Sequence, residues 1–137
     1  MAKTFHFEVV TPTRVFYSDD VEMVIFNRED GEMGIMADHM PMLVSVDVGA
    51  LQIKKENQFT VAAVGEGFLE ITDQKVTAIL DSAEWPEEID LERAIRAKDS
   101  AESRLKELRK DKEMEVLLKA SIQRAKNRIN IANSSQK

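Results

Sequence analysis

The sequence predicts an α+β chain built as two units, an N-terminal antiparallel β-sandwich or barrel over residues 1–86 and a C-terminal two-helix antiparallel hairpin over residues 87–137. Three observations carry this reading. All five Gly lie between Gly31 and Gly67, all eight aromatics between Phe5 and Trp85, and the last Pro is Pro86, so turn formers and bulky core formers are confined to the first part. Before that boundary the apolar runs are short, spaced at about 8–12 residues and separated by turn signals. Beyond it, 51 residues without Gly, Pro or an aromatic are rich in Ala, Glu, Lys, Arg and Leu, a composition that favours helix.

In chain order, Phe5, Phe7 and Val9 alternate with His6, Glu8 and Val10, a strand with one apolar face inward and His6 facing solvent. Asp19, Asp20 and Glu22 lack the spacing of a calcium loop and read as a solvated turn. Val21 to Phe26 is a β-branched run closed by Asn27-Arg28-Glu29-Asp30-Gly31, and Met33 to Ala37 resumes before His39-Met40-Pro41. Further strands are expected over Ala50 to Lys54, Phe59 to Val64, Phe68 to Thr72 and Val76 to Leu80, the last three separated by Gly65-Glu66-Gly67 and Thr72-Asp73-Gln74. No helix-length periodic stretch interrupts them, which disfavours βαβ folds. Gly65-x-Gly67 lacks the third Gly of a phosphate loop and precedes a strand, so it reads as a turn or bulge. His39, without a Ser or Cys nucleophile pattern nearby, reads as a loop histidine with a structural hydrogen bond.

In the second part Asp90 is the expected N-cap of the first helix. Leu91, Ala94, Lys98, Ala101, Leu105 and Leu108 make one stripe at 3-4 spacing, broken by Lys98, and Met114, Leu118, Ile122, Ala125, Ile129 and Ala132 make a second. Between them Arg109-Lys110-Asp111-Lys112-Glu113 is all charged and is where the hairpin should turn, yet it holds no Gly or Pro to enforce the turn. Two states are open: a permanent hairpin, or a hairpin that straightens and extends, with a ligand able to choose between states separated by a few kcal/mol.

Composition narrows the function. There is no Cys and only two His, His6 and His39, so disulfides, thiolate metal sites and most catalytic triads lose their raw material, and no metal site is expected. No apolar run approaches the roughly 20 residues a membrane-spanning helix needs. The opening residues carry neither a signal peptide's apolar core nor an Arg-rich presequence, and the chain is expected to stay in the compartment that makes it. The net charge of −6 divides unevenly: residues 1–86 hold 6 basic and 15 acidic groups, residues 87–137 hold 13 and 10. After Met114 the bases Lys119, Arg124, Lys126, Arg128 and Lys137 face one acid, Glu115, which suits an acidic partner. With no aromatic in the tail to stack on bases, nucleic acid is not that partner.

The order of features resembles the epsilon subunits of bacterial F-type ATP synthases. The resemblance rests on Val9-Val10-Thr11-Pro12, Val21-Glu22-Met23-Val24, Gly31-Glu32-Met33-Gly34-Ile35, His39-Met40-Pro41, Gly49-Ala50-Leu51, Gly67-Phe68-Leu69-Glu70-Ile71 and Ile89-Asp90-x-x-Arg93-Ala94, in the family's order and at its spacing. One departure stands out: where the family usually reads Leu-Pro-Gly-His, this chain has Met36-Ala37-Asp38-His39. The resemblance implies a non-catalytic central-stalk subunit, peripheral on the cytoplasmic side of the bacterial plasma membrane. Its partners would be the gamma subunit, the membrane rotor ring of c subunits and, through the tail, the catalytic alpha/beta head. Glu32, His39 and Met42 match the family's ring-facing surface, and the basic face of Lys119, Arg124, Lys126 and Arg128 would engage acidic residues of the head to restrain ATP hydrolysis. No cofactor is required, but ATP is implied as a regulatory ligand held by Ile89, Asp90, Arg93 and Ala94, with Glu84 upstream and Arg128 on the second helix. Without the resemblance, the same residues fit a β-sandwich adaptor whose helical hairpin docks an unrelated partner.

Overall fold

A computed structural model describes residues 3–108 and 111–134. By internal contacts the chain divides into Met1–Trp85 and Pro86–Lys137. The first unit is a sandwich of two five-stranded sheets. Its strands are β1 (Phe5–Val10), β2 (Val15–Val21), β3 (Met23–Arg28), β4 (Gly31–Met36), β5 (Met42–Val46), β6 (Gly49–Lys55), β7 (Gln58–Val64), β8 (Gly67–Ile71), β9 (Lys75–Leu80) and the two-residue β10 (Ala83–Glu84). One sheet runs β2-β1-β9-β8-β5 and the other β10-β7-β6-β3-β4. The predicted sandwich is therefore what forms. All ladders are antiparallel except β1 against β9, which is parallel.

Alternation sets the core. Phe7 and Val9 of β1, Val24 and Phe26 of β3, Leu51 and Ile53 of β6, Leu69 of β8 and Val76 of β9 are fully buried between the sheets. Each such side chain contributes about 1.5–3 kcal/mol relative to exposure. Turns follow local chemistry. The β3–β4 turn is Glu29-Asp30, shorter than the five-residue segment expected, and Gly31 after it takes φ +124°, open to glycine alone. The β6–β7 hairpin turns at Glu56-Asn57, with φ +51° and +64°, the paired left-handed residues of a type I′ turn.

One expectation is corrected. Asp19 and Asp20 lie inside β2 and do not form a turn. The polar run Tyr17-Ser18-Asp19-Asp20 hides the strand from a periodicity test, and it is tolerated because β2 is the edge of its sheet, where charge also deters further pairing. Strand β5, behind Pro41, was likewise unmarked in the sequence; it is the opposite edge of the same sheet.

In the second unit a 3-10 turn at Pro86–Glu88 leads to α1 (Leu91–Glu107) and α2 (Lys112–Ser134), which form the expected hairpin. Asp90 caps α1 as predicted, its Oδ1 accepting the Arg93 N–H at 3.1 Å. Ala101, Leu118 and Ile122 form the buried seam, flanked by Leu105, Leu108 and Met114, so both stripes meet. Lys98, the break in the first stripe, is half-buried and pairs with Glu102 at 3.3 Å. Arg109 and Lys110, in the segment expected to turn, lie outside the described residues. Asp111 beside them accepts the Met114 N–H at 3.1 Å through Oδ1, a side-chain cap that starts α2 without Gly or Pro.

Candidate functional site

Three surfaces carry the candidate residues. The first is the segment Gly31–Val46, which passes from β4, an edge of one sheet, to β5, an edge of the other. On β4, Ile35 is buried inward, so Glu32, Gly34 and Met36 share the outer face. Glu32 is exposed and its Oε2 accepts a hydrogen bond from Gln52 Nε2 at 3.3 Å. Met42 opens β5 and is exposed. His39, in the connection between them, is half-buried with its ring edge-on to Phe5 at 5.4 Å. Its Nδ1 is buried with no hydrogen-bond partner among the described residues, so at that nitrogen the expected structural hydrogen bond is replaced by packing. Asp38 has φ +65°, a left-handed conformation that glycine takes freely and Asp tolerates better than most residues. Lys3 Nζ donates to its Oδ2 at 2.7 Å, and that bond holds the exposed Asp38 carboxyl below the usual carboxylate range.

The second surface is the outer face of the sheet β2-β1-β9-β8-β5. Register places Phe68 opposite Ile79, Ile79 opposite Val10 and Val10 opposite Val15, one apolar row across four strands. Phe68, Ile79 and Val15 are 55%, 51% and 63% exposed. Sequence reasoning passed over this row. The signal was there in phase: Leu69 and Ile71 fill the inner face of β8, as do Val76, Ala78 and Leu80 on β9, so Phe68 and Ile79 had to point outward. On the same face of β1 as Val10 but four residues along, His6 is not simply solvent-facing. It is half-buried, with Nδ1 3.0 Å from Asp20 Oδ1 and Nε2 3.1 Å from Glu8 Oε1 and 3.2 Å from Ser18 Oγ. The Asp20 bond first, and Glu8 after it, raise the His6 pKa above its ordinary value.

The third is the hairpin. Ile89 and Ala94 are buried, the latter fully. Asp90 is engaged in capping, Arg93 is exposed in the first turn of α1, and Arg128 is half-buried on α2. Glu84 belongs to the first unit, on β10, and is half-buried. The four basic residues of α2 do not form one face: at 3.6 residues per turn Lys119 and Lys126 share one side, Arg124 and Arg128 another. Lys119 pairs with Glu115 at 2.8 Å, and Arg124 donates to Ser121 Oγ at 3.2 Å. Among the described residues no cluster of three or more His, Asp or Glu could hold a metal, and no helix is long and apolar enough to cross a membrane.

Residues 4–86 match the family model described as ATP synthase, Delta/Epsilon chain, beta-sandwich domain, and residues 87–133 match its long alpha-helix domain. The chain belongs to the ATP synthase epsilon chain family. It is 43% identical over 132 residues to the ATP synthase epsilon chain of Caldicellulosiruptor bescii, covering 96% of each chain. To that of Caldanaerobacter subterraneus it is 43% identical over 137 residues, covering 99% of each, and to that of Alkaliphilus oremlandii 49% over 105 residues, covering 77% of this chain and 78% of the other. A chain in a solved Euglena gracilis mitochondrial ATP synthase superposes with a TM-score of 0.78 at 17% identity, covering 98% of this chain and 82% of that one, a likeness of fold. As an epsilon chain it is a non-catalytic subunit of the synthase.

Proposed function

We propose that this epsilon chain is a central-stalk subunit whose β-unit docks on the gamma subunit and the membrane rotor ring, on the cytoplasmic side of the plasma membrane, while its hairpin restrains ATP hydrolysis. The apolar row Val15, Val10, Ile79 and Phe68 supports protein docking, since a sheet face that water alone covered would carry polar residues there. Glu32, His39 and Met42, along the β4–β5 edge, are the residues proposed to meet the ring.

The observation that carries the regulatory part is the thinness of the hairpin seam. Among the described residues the seam around Ala101 buries two large side chains, Leu118 and Ile122, worth about 1.5–3 kcal/mol each. Elsewhere on the two helices only Ile131 is a large buried residue, beside the small Ala94, Ala125 and Ala132. A ligand present at about a hundred times its Kd adds about 2.7 kcal/mol to the state it binds, which is comparable. ATP bridging Arg93 and Arg128 would hold the hairpin closed by supplying phosphate charge between two cations. Asp90 contributes through the cap that positions Arg93, and Lys119, Arg124, Lys126 and Arg128 supply the tail's positive charge toward an acidic surface of the catalytic head.

Deletion of residues 89–137 tests the brake. The assembled enzyme should hydrolyse ATP faster and still contain the truncated subunit; unchanged hydrolysis refutes restraint by the tail. Calorimetry of the full chain with ATP tests the sensor, and equal affinity in wild type and Arg93→Ala rejects the site.

A further inference from the structure

Among the described methionines, Met36, Met40 and Met42 stand apart. They are 58%, 74% and 41% exposed and lie within one stretch of seven residues on the β4–β5 edge, next to Leu43 at 67%. The others are sheltered: Met33 packs against the sandwich core, Met114 flanks the hairpin seam, and Met23 is half-buried opposite Met36 across β3 and β4. The loop between Met36 and Met42 has only one acid, Asp38, and that is held by Lys3; Met36 shares a cleft with Lys3, Glu22 and Lys54, and these still leave it exposed. A thioether that is solvent-exposed is open to two-electron oxidants, and the product changes an apolar, flexible side chain into a polar one.

We propose that Met36, Met40 and Met42 are a reversible oxidation site that loosens the docking edge of this subunit when peroxide rises. The sulfur lone pair attacks one oxygen of hydrogen peroxide, the O–O bond breaks as the S–O bond forms, and proton transfer releases the other oxygen as water. Sulfur loses two electrons and peroxide gains them. Methionine sulfoxide reductase, supplied with a dithiol reductant, restores the thioether: the dithiol gives two electrons and becomes a disulfide, and the sulfoxide oxygen leaves as water. The sulfoxide dipole demands hydration, so an edge that seats against a partner through these side chains loses contact. This consequence rests on the rotor-docking reading above; the modification itself does not.

Two measurements test it. The full chain is treated with graded hydrogen peroxide and each methionine is followed by peptide mass spectrometry. Met40, Met36 and Met42 should each gain one oxygen while Met23 and Met33 remain largely unmodified, and urea-unfolded chain should lose that order. Oxidation of Met23 or Met33 as fast as Met40 overturns the site. Peroxide-treated chain is then bound to membranes carrying the synthase stripped of this subunit, alongside a Met36→Leu/Met40→Leu/Met42→Leu chain, each normalised to its own untreated binding. Wild type should lose several-fold more binding than the variant, and reductase should restore it; equal losses overturn the regulatory consequence. Failure of untreated wild type to bind refutes rotor docking, and the proposed consequence with it, while the mass spectrometry still decides the modification.

Discussion

Single residues here are constrained by backbone proximity as much as by side-chain burial. Gly67 shows it most sharply: a Cβ there would lie 2.0 Å from the Ile79 carbonyl oxygen and 2.8 Å from Leu80 Cα, both backbone. No rotamer relieves that, so Gly67→Ala must spread the β8–β9 ladder and should cost about 1–3 kcal/mol, read as a lower urea midpoint with a similar slope. An unchanged midpoint would show that the strands are not so closely apposed. His6 gives a pH signature. Its folded pKa is raised by Asp20 and Glu8, so its contribution is complete below the unfolded value of about 6.5 and is lost as pH rises through the folded value. Wild type should therefore exceed His6→Ala in stability at about pH 5.5, with the gap narrowing toward about pH 8.5. A gap that stays constant with pH assigns His6 a packing role only. Asp38 carries a residue-level lesson of its own: the departure from the family's Pro-Gly was visible in the sequence, but its left-handed φ and its tie to Lys3 were not, because Lys3 is 35 residues away in the chain.

At the scale of elements, legibility followed phase. Strands with clean alternation, such as Phe5–Val10 and Lys75–Leu80, were readable, as were both helical stripes and the Asp90 cap. Strands at sheet edges were not, since β2 carries Asp19 and Asp20 and β5 follows a proline, and edge strands need not alternate. The parallel pairing of β1 with β9 joins segments some 70 residues apart, which no local pattern encodes. The hairpin break was found by its charge, while Asp111, the residue that makes it possible without Gly or Pro, went unread among four other charged neighbours. Thin packing of that hairpin yields a prediction. Ile122→Ala removes one of the large buried side chains of α2, which among the described residues are Leu118, Ile122 and Ile131, and should cost about 2–5 kcal/mol, enough to melt the helices while the sheets persist. Far-UV circular dichroism should show helix loss at a lower temperature than the near-UV signal of Trp85, which stacks on Phe16 at 4.5 Å within the β-unit. Coincident loss of both signals would mean that the two units unfold as one.

For the whole molecule the decisive asymmetry is charge. Residues 1–86 carry net −9 and residues 87–137 net +3, so the two proposed contacts differ in kind. The β-unit presents an apolar row, whose burial depends little on ionic strength, whereas the tail offers exposed lysines and arginines, whose attraction to an acidic surface is screened within about 10 Å at 0.1 M salt and about 3 Å at 1 M. Salt should therefore release the brake before it releases the subunit. Raising ionic strength from about 0.1 M to about 1 M should increase ATP hydrolysis of the complex containing the full chain relative to one containing the chain without residues 89–137, until the two rates converge. The full chain should stay bound throughout, as read by sedimentation with the complex. The truncated complex supplies the control for salt effects on catalysis itself. A constant ratio between the two rates across that range would show that the tail acts by shape and apolar contact, with its positive charge serving only to keep the helices hydrated.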